Sequence, residues 1–305
     1  MNNQQIEHSK KQFKILEKIE LPEQKSQEWY DMRNNMITAS DTATAIGRNP
    51  YEKSIDGLIA KKIGFGKPFK GNSATYWGCK YEEVATRIYE HINKCTIIEF
   101  GCLQHPTYKY IGASPDGITP DGIMLEIKCP TSRKITGIPP EYYWCQMQQQ
   151  LEVCDLYKCD FLECLLEEYK SKEEYFNDKT TEFKGCVIEF IGEEKPEFAY
   201  SVFHITQKKY QKWFDNEIKI AEKKKWKYKC HNFWKLTQIS CVPIYRNKNW
   251  FNNTALPILT EVWNKILYYR KHIDEWKTEK NIKIKESDIN DDYEFGVNTF
   301  LNITL

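Results

Sequence analysis

Three features of the sequence predict a mixed α/β chain, with a central mixed β-sheet flanked by helices and a helical extension at the carboxyl end. Apolar residues between 75 and 92 recur at helical spacing, as Tyr81, Val84, Ala85, Ile88 and Ile92. From Thr96 the period changes to alternation, through 97–98, 108–113 and 123–129, with Asp-Gly turn signals at 116–117 and 121–122. Pro139-Pro140 then precede a helical stretch from Glu141 to Val153, and strand-like runs follow at 158–166 and 183–190.

Taken in order, the first 25 residues are polar and lysine-rich, which predicts a flexible arm or one loosely held helix. The ordered core is expected from Ser26 to about residue 205. Ser26 can cap a short helix carrying Trp29, Tyr30, Met32 and Arg33, and a second helix capped by Thr38 or Ser40 should stop at Gly47. Asn49-Pro50 turns the chain into a helix from Ser54 to about Ile63, ended by Gly64. A glycine-rich loop then leads to the long amphipathic helix of 75–92. The alternating stretch from 97 to 129 reads as a small antiparallel meander. From 206 to 305 the chain reads as mainly helical, with one basic helix over 207–229, a last helix over 256–276, and a polar tail.

Charge and cysteine usage exclude several functions. Lys and Arg number 44 against 43 Asp and Glu, a net of +1, so a uniformly basic nucleic-acid binder is excluded. That balance hides two opposed stretches: 161–197 carries eleven acids against five lysines, and 207–229 carries nine lysines against three acids. Aromatic residues Tyr210, Trp213, Trp226 and Tyr228 interleave the basic stretch. It reads equally as a solvated helix face or as one that follows phosphates. No run approaches the roughly 20 apolar residues of a bilayer span, so no membrane partner is expected. The opening residues lack the apolar segment of a secretory signal, and the odd count of eleven cysteines suits free thiols in a reducing compartment. No CxxC pair occurs. Cys154, Cys159 and Cys164 recur every five residues and read as buried small hydrophobes rather than metal ligands.

Chemistry concentrates in Ser114-Pro115-Asp116-Gly117 and, a short turn later, Leu125-Glu126-Ile127-Lys128-Cys129-Pro130. Alternate side chains of a strand share a face, so Glu126 and Lys128 point the same way, while Leu125 and Ile127 point into the core. The turn can bring Asp116 beside Glu126. Two carboxylates with the Ile127 carbonyl between Glu126 and Lys128 make an all-oxygen set suited to Mg²⁺, and Lys128 lies where it can orient or deprotonate a water. Phosphodiester hydrolysis needs these parts. The same spacing also occurs on ordinary exposed strands. His105, which follows a predicted strand in Leu103-Gln104-His105-Pro106, is read as structural.

Four ordered blocks resemble the lambda-exonuclease-like nucleases, the YqaJ-type viral recombinase family of the PD-(D/E)XK superfamily. They are Trp29 and Arg33 followed by Ile37-Thr38-Ala39-Ser40; Trp77-Gly78 with Tyr81-Glu82 and Ala85; the Asp116 and Glu126–Lys128 segments; and Tyr143 with Gln146 and Gln148. The resemblance covers about 130 residues, Trp29 to Phe161, and implies a restriction-endonuclease-like core. By position it implies metal binding by Asp116, Glu126 and the Ile127 carbonyl, with Glu82 completing the acidic site through water. Glu83 is the rival assignment for that glutamate. It further implies a water-positioning or activating role for Lys128 and a supporting one for Gln146. Arg33 and Ser40 match the residues that hold a terminal 5′-phosphate, and a guanidinium with a hydroxyl at a helix start suits an anion. The plain alternative is a surface cation and a helix cap.

The implied function is a Mg²⁺-dependent 5′-to-3′ exonuclease on linear double-stranded DNA, with Mn²⁺ substituting and one or two ions per site, serving viral recombination, repair or end processing. Duplex contact is expected from a groove of the amino-terminal helices and the basic helix. Family membership suggests a virus or phage and, with the reducing compartment, host cytoplasm or a viral factory. It also raises a single-strand annealing protein and a homotrimer as partners, neither of them encoded in the four blocks. Two rival functions stay open: an endonuclease or single-strand-directed nuclease with the same site, and an inactive DNA-binding scaffold of nuclease-like fold.

Overall fold

The computed structural model describes residues 1–22, 26–66, 71–193 and 195–280; the polar tail expected at the carboxyl end and part of the glycine-rich loop lie outside them. In chain order the elements are α1 (Asn3–Leu16), α2 (Gln27–Asn34), β1 (Ile37–Thr38), α3 (Thr42–Ala45), α4 (Asp56–Lys62), α5 (Ser73–Asn93), β2 (Leu103–Gln104), β3 (Ile111–Ala113), β4 (Gly117–Ile118), β5 (Ile123–Lys128) and α6 (Glu141–Cys154). Then follow β6 (Lys158–Glu168), α7 (Lys172–Asn177), β7 (Lys184–Ile191), β8 (Pro196–Tyr200), α8 (Gln207–Lys223), β9 (Lys227–Tyr245), α9 (Lys248–Trp250), α10 (Leu256–Lys271) and α11 (Ile273–Glu279). None of these helices is long and apolar enough to cross a membrane.

Two helix starts follow caps written in the sequence, whereas the helix expected to be capped by Thr38 or Ser40 is the short α3, which starts at Thr42 after a 3-10 turn and has no side-chain cap. Ser26 accepts the Trp29 amide at 3.2 Å to start α2, and Asn72 accepts the Thr75 amide at 2.9 Å to start α5. Along α5 the stripe Tyr81, Val84, Ala85 and Ile88 is fully buried against β5 and β6. Each large side chain there contributes roughly 1.5–3 kcal/mol of burial. The parallel pair β5–β6 needs a crossover, and α6 supplies it. Its buried residues, with those of α1, α3, α4 and α10, form the core on the opposite face of the sheet. Cys154, Cys159 and Cys164 lie fully buried in these cores, as expected of small hydrophobes.

The strands form two sheets, ordered β1-β3-β2 and β4-β5-β6-β9-β7-β8, so the mixed α/β class holds. The meander reading needs correcting: β3 pairs parallel with β1 and antiparallel with β2 in the smaller sheet, while β4 and β5 belong to the larger one. Strand pairing is a long-range choice that alternation alone does not specify.

The amino-terminal arm is a second correction. Helix α1 opens on a capping box of Asn2 and Gln5, and Phe13 and Leu16 are buried in the core. It crosses the β4–β5 turn so closely that a Cβ on Gly122, whose φ is +74°, would stand 2.4 Å from the Ser9 carbonyl oxygen. That Asp-Gly turn therefore needs glycine for conformation and for contact.

The mainly helical carboxyl extension is the third. The basic helix ends at Lys223, and Lys227–Tyr245 is the long strand β9, which joins the halves of the larger sheet. Residues 227–235 of β9 pair with β7 and residues 234–245 with β6, so only Trp234 and Lys235 are paired on both sides. Much of the strand is therefore solvent-facing, and its polar residues obscure the alternation. The core and the extension are one folded body here. The last helical stretch is divided at His272, between α10 and α11.

Candidate active site

Strand β5 carries Met124, Glu126 and Lys128 toward α6, and Leu125 and Ile127 toward α5. Glu126 is 0% exposed. One of its oxygens, Oε1, accepts from Gln146 Nε2 at 2.7 Å and touches the Lys128 ammonium; the other, Oε2, accepts from Gln150 Nε2 at 2.7 Å. Gln146 and Gln150 are one helical turn apart on α6, which brings both amides to one carboxylate. A buried charge is tolerated when it is paired and hydrogen-bonded in this way.

Asp116 leaves the turn before β4 and accepts the Ile127 amide through Oδ2 at 2.6 Å. The Gly117–Leu125 register holds it against the strand. Glu82 stands on α5 at a cleft of about 730 Å³, lined also by Lys128, Arg133 and Tyr143. Its neighbour Glu83 instead pairs with Arg87 at 2.6 Å, so the cleft-facing glutamate is Glu82.

Electrostatics mark these groups as mutually strained. Burial raises the Asp116 carboxyl well above the usual carboxylate range, and the Glu126 charge raises it further, against Lys128. Burial also raises Glu82, with Lys128 opposing and Glu126, Glu99 and Glu83 adding to the shift. The Glu82 side chain is exposed to the water of the cleft although protein surrounds it on most sides, so screening moderates that rise. Burial by itself would lower Lys128, but Glu126 and Asp116 override it and hold the ammonium above its ordinary value. Lys128 is a cation in this arrangement rather than a free base.

Among the described residues, no three His, Cys, Asp or Glu side chains stand ready as a coordination sphere. The donor chemistry nonetheless fits a hard divalent cation completed by water. Asp116 is raised by burial and by the nearby Glu126 carboxylate, the Ile127 carbonyl belongs to the same strand, and the buried Gln150 Oε1 lacks a hydrogen-bond partner.

Arg33, on α2, donates to Ser114 Oγ at 3.2 Å and stacks over Trp29 at 4.5 Å, which ties it to the Asp116 turn. Ser40 is exposed in the 3-10 turn 39–41, with its hydroxyl 3.3 Å from that of Thr38. The described contacts do not join Arg33 to Ser40. Lys62 donates to the Arg33 carbonyl at 2.7 Å and lies 3.6 Å from Asp41, adding a cation to this region.

Sequence reading gave no role to three contributors. Gln150 shared the Gln146 face, yet a glutamine-rich helix carried no signal of its own. Arg133, five residues beyond Lys128, contacts the fully buried Glu163, which stands opposite Lys128 in the β5–β6 register. The two charges touch without hydrogen-bond geometry, so the contact is an ion pair and not a directed bond. The Tyr143 ring packs under both cations, 5.0 Å from Lys128 Nζ and 5.8 Å from the Arg133 guanidinium. His105 is structural: its Nδ1 accepts the Thr107 and Tyr108 amides, each at 3.0 Å.

Residues 28–157 match the YqaJ-like viral recombinase domain. An uncharacterized protein of Acanthamoeba polyphaga mimivirus is 32% identical over 94% of this chain and 60% of its own length. A protein of African swine fever virus is 28% identical over 43% of this chain and 46% of its own. The chain thus spans about half to three-fifths of the length of these viral relatives. Among solved structures, the alkaline exonuclease LHK-Exo of Laribacter hongkongensis superposes with a TM-score of 0.51 at 19% identity, covering 83% of this chain and 99% of that one. Its complex with dAMP scores 0.50 at 20% identity, covering 82% and 99%. This likeness shows that the fold is that of the alkaline exonucleases, a PD-(D/E)XK-like fold.

Proposed function

We propose that this chain, whose residues 28–157 match the YqaJ-like viral recombinase domain, is a divalent-metal-dependent DNA nuclease, a 5′-to-3′ exonuclease on linear duplex that serves recombination or end processing of viral DNA. The observation that carries the reading is the Glu126 carboxylate held at once by Lys128, Gln146 and Gln150, with Asp116 fixed beside it on the Ile127 amide.

In this reading Asp116, Glu126 and the Ile127 carbonyl would hold the ion, Mg²⁺ with Mn²⁺ substituting, with Glu82 acting through water. The ion supplies charge neutralisation at the phosphate and lowers the pKa of water. The chain's own residues do the rest. Gln146 and Gln150 each donate an N–H to Glu126, which fixes the rotamer of its carboxylate. Lys128 carries three donors on a charged head. One is engaged by Glu126, and the others can orient the attacking water and meet the negative charge that builds on the phosphate. Arg33 would take the terminal 5′-phosphate in a fork of N–H donors, with Ser40 adding a hydroxyl, so that only a chain end fits.

Digestion of 5′-phosphorylated linear duplex alongside closed circular duplex tests the proposal. The expected outcome is loss of the linear form only, abolished by EDTA and reduced at least about a hundredfold in Asp116→Asn, the scale of losing a group matched to the transition state. Equal digestion of the circle would favour an endonuclease. Wild-type activity in Asp116→Asn would remove this site from the reaction.

A further inference from the structure

Tyr51 is 80% exposed, an unusual setting for a large aromatic ring, and it lines the same cleft as Lys128. Its turn is held from several sides. Asn49 accepts the Tyr51 amide at 3.0 Å and donates to Thr44 Oγ1 at 2.8 Å, while Arg48 pairs with Glu141, the first residue of α6, at 3.0 Å. Across the cleft mouth the Tyr51 ring meets Tyr142 edge-on, with centroids 5.6 Å apart. Tyr142 in turn lies 4.2 Å from Tyr143, the ring beneath Lys128 and Arg133. A run of three aromatic rings therefore leads from the cationic centre to solvent, and its outermost ring has an open face.

We propose that Tyr51, backed by Tyr142, is a stacking platform for an unpaired nucleobase of the DNA strand whose phosphate lies at Lys128 and Arg133. The inference rests on the nuclease reading and adds a specificity determinant to it: the cleft receives a terminal nucleotide that has left the duplex. Three observations support this occupant. Cations occupy the inner end of the run, where a phosphate belongs, and bare aromatic rings occupy the outer end, where a base belongs. Stacking on a ring also needs no particular base, because every base has a π-face. Finally, the pinned turn presents Tyr51 without the entropy cost of ordering a loop.

The test is binding, with EDTA present so that nothing is hydrolysed, of a duplex whose short unpaired end carries 2-aminopurine at the terminal nucleotide, compared with a blunt duplex. Wild-type protein should quench the fluorophore by stacking. Tyr51→Ala should lose the quenching and bind the unpaired end roughly fivefold more weakly or worse, the lower end of what a base on an aromatic ring contributes. Tyr51→Phe should keep both, and blunt-duplex affinity should change less. Because Tyr51 is so exposed, loss of fold does not confound the variant, and circular dichroism checks it. Unchanged quenching and affinity in Tyr51→Ala would overturn the platform, and so would a Tyr51→Phe protein that behaves like Tyr51→Ala. Digestion in Mg²⁺ is read separately. A wild-type protein that stacks the base but cuts nothing would sink the nuclease reading and leave the platform standing.

Discussion

At Asp116 the requirements of folding and of chemistry pull apart. Its carboxyl is held well above the usual range by burial and by Glu126. The folded protein therefore binds that proton more tightly than the unfolded chain, and stability is lost as pH rises from the ordinary carboxylate value through the raised one. At neutral pH the charge is a liability, so in metal-free protein Asp116→Asn should raise stability by about 1 kcal/mol, the usual scale for relieving a functional site, while activity falls. Chemical denaturation with EDTA present checks the sign, and a destabilised variant would contradict it. Lys62 gives a second pH signature. Burial lowers its ammonium to about 8 from 10.5, with Lys61 and Arg33 adding to the effect and Asp41 opposing it. Between those two values the unfolded chain holds more protons than the folded one, so stability should climb as pH rises through that window. Urea melts of wild type and Lys62→Met at pH 8 and pH 10 should show the wild type gaining relative to the variant.

Among the elements, α1 and β9 decide how much of the chain is core. If α1 is docked, as the burial of Phe13 and Leu16 indicates, Phe13→Ala should cost about 3 kcal/mol; a frayed arm would leave stability unchanged. Thermal unfolding separates the two. For β9 the corresponding position is Trp234, 2% exposed and paired on both edges of the strand. Trp234→Ala should cost about 3–5 kcal/mol, and a chain ending before Lys227 should fail to yield a protease-resistant domain. The site elements were the more legible ones. Ser26 and Asn72 announce their helices by local capping, and Glu126 and Lys128 share a face because strands alternate. Helix α1 was harder to read because its docking depends on Gly122 and Ser9, residues far apart in sequence.

For the molecule as a whole, a net charge near zero leaves nucleic-acid binding to placement. Lys128 faces Glu163 and Glu163 faces Ser240, whereas the start of α8 packs near Phe233, seven residues earlier in β9 and so about 23 Å from Ser240 along the strand. The first turns of α8, which carry Tyr210 and Trp213, thus pack at a distance from Lys128 along the larger sheet. Binding of linear duplex should weaken steeply with salt. Arg33→Ala should reduce the slope of log K against log salt by about one, while Lys208→Glu with Lys212→Glu should change it less. An equal or larger effect on α8 would extend the DNA path to that end of the sheet. The sequence by itself determined what depends on neighbours in the chain: helix caps, the alternation of β5, the Asp-Gly turns, and the identities of Asp116, Glu126 and Lys128. Tertiary structure alone decided that β9 joins the sheet, that Gln150 completes the grip on Glu126, that Glu163 faces Arg133, and that Tyr51 lines the cleft. Each of these is a contact between distant residues, made by strand register and helix packing, and local propensity carries no record of such contacts.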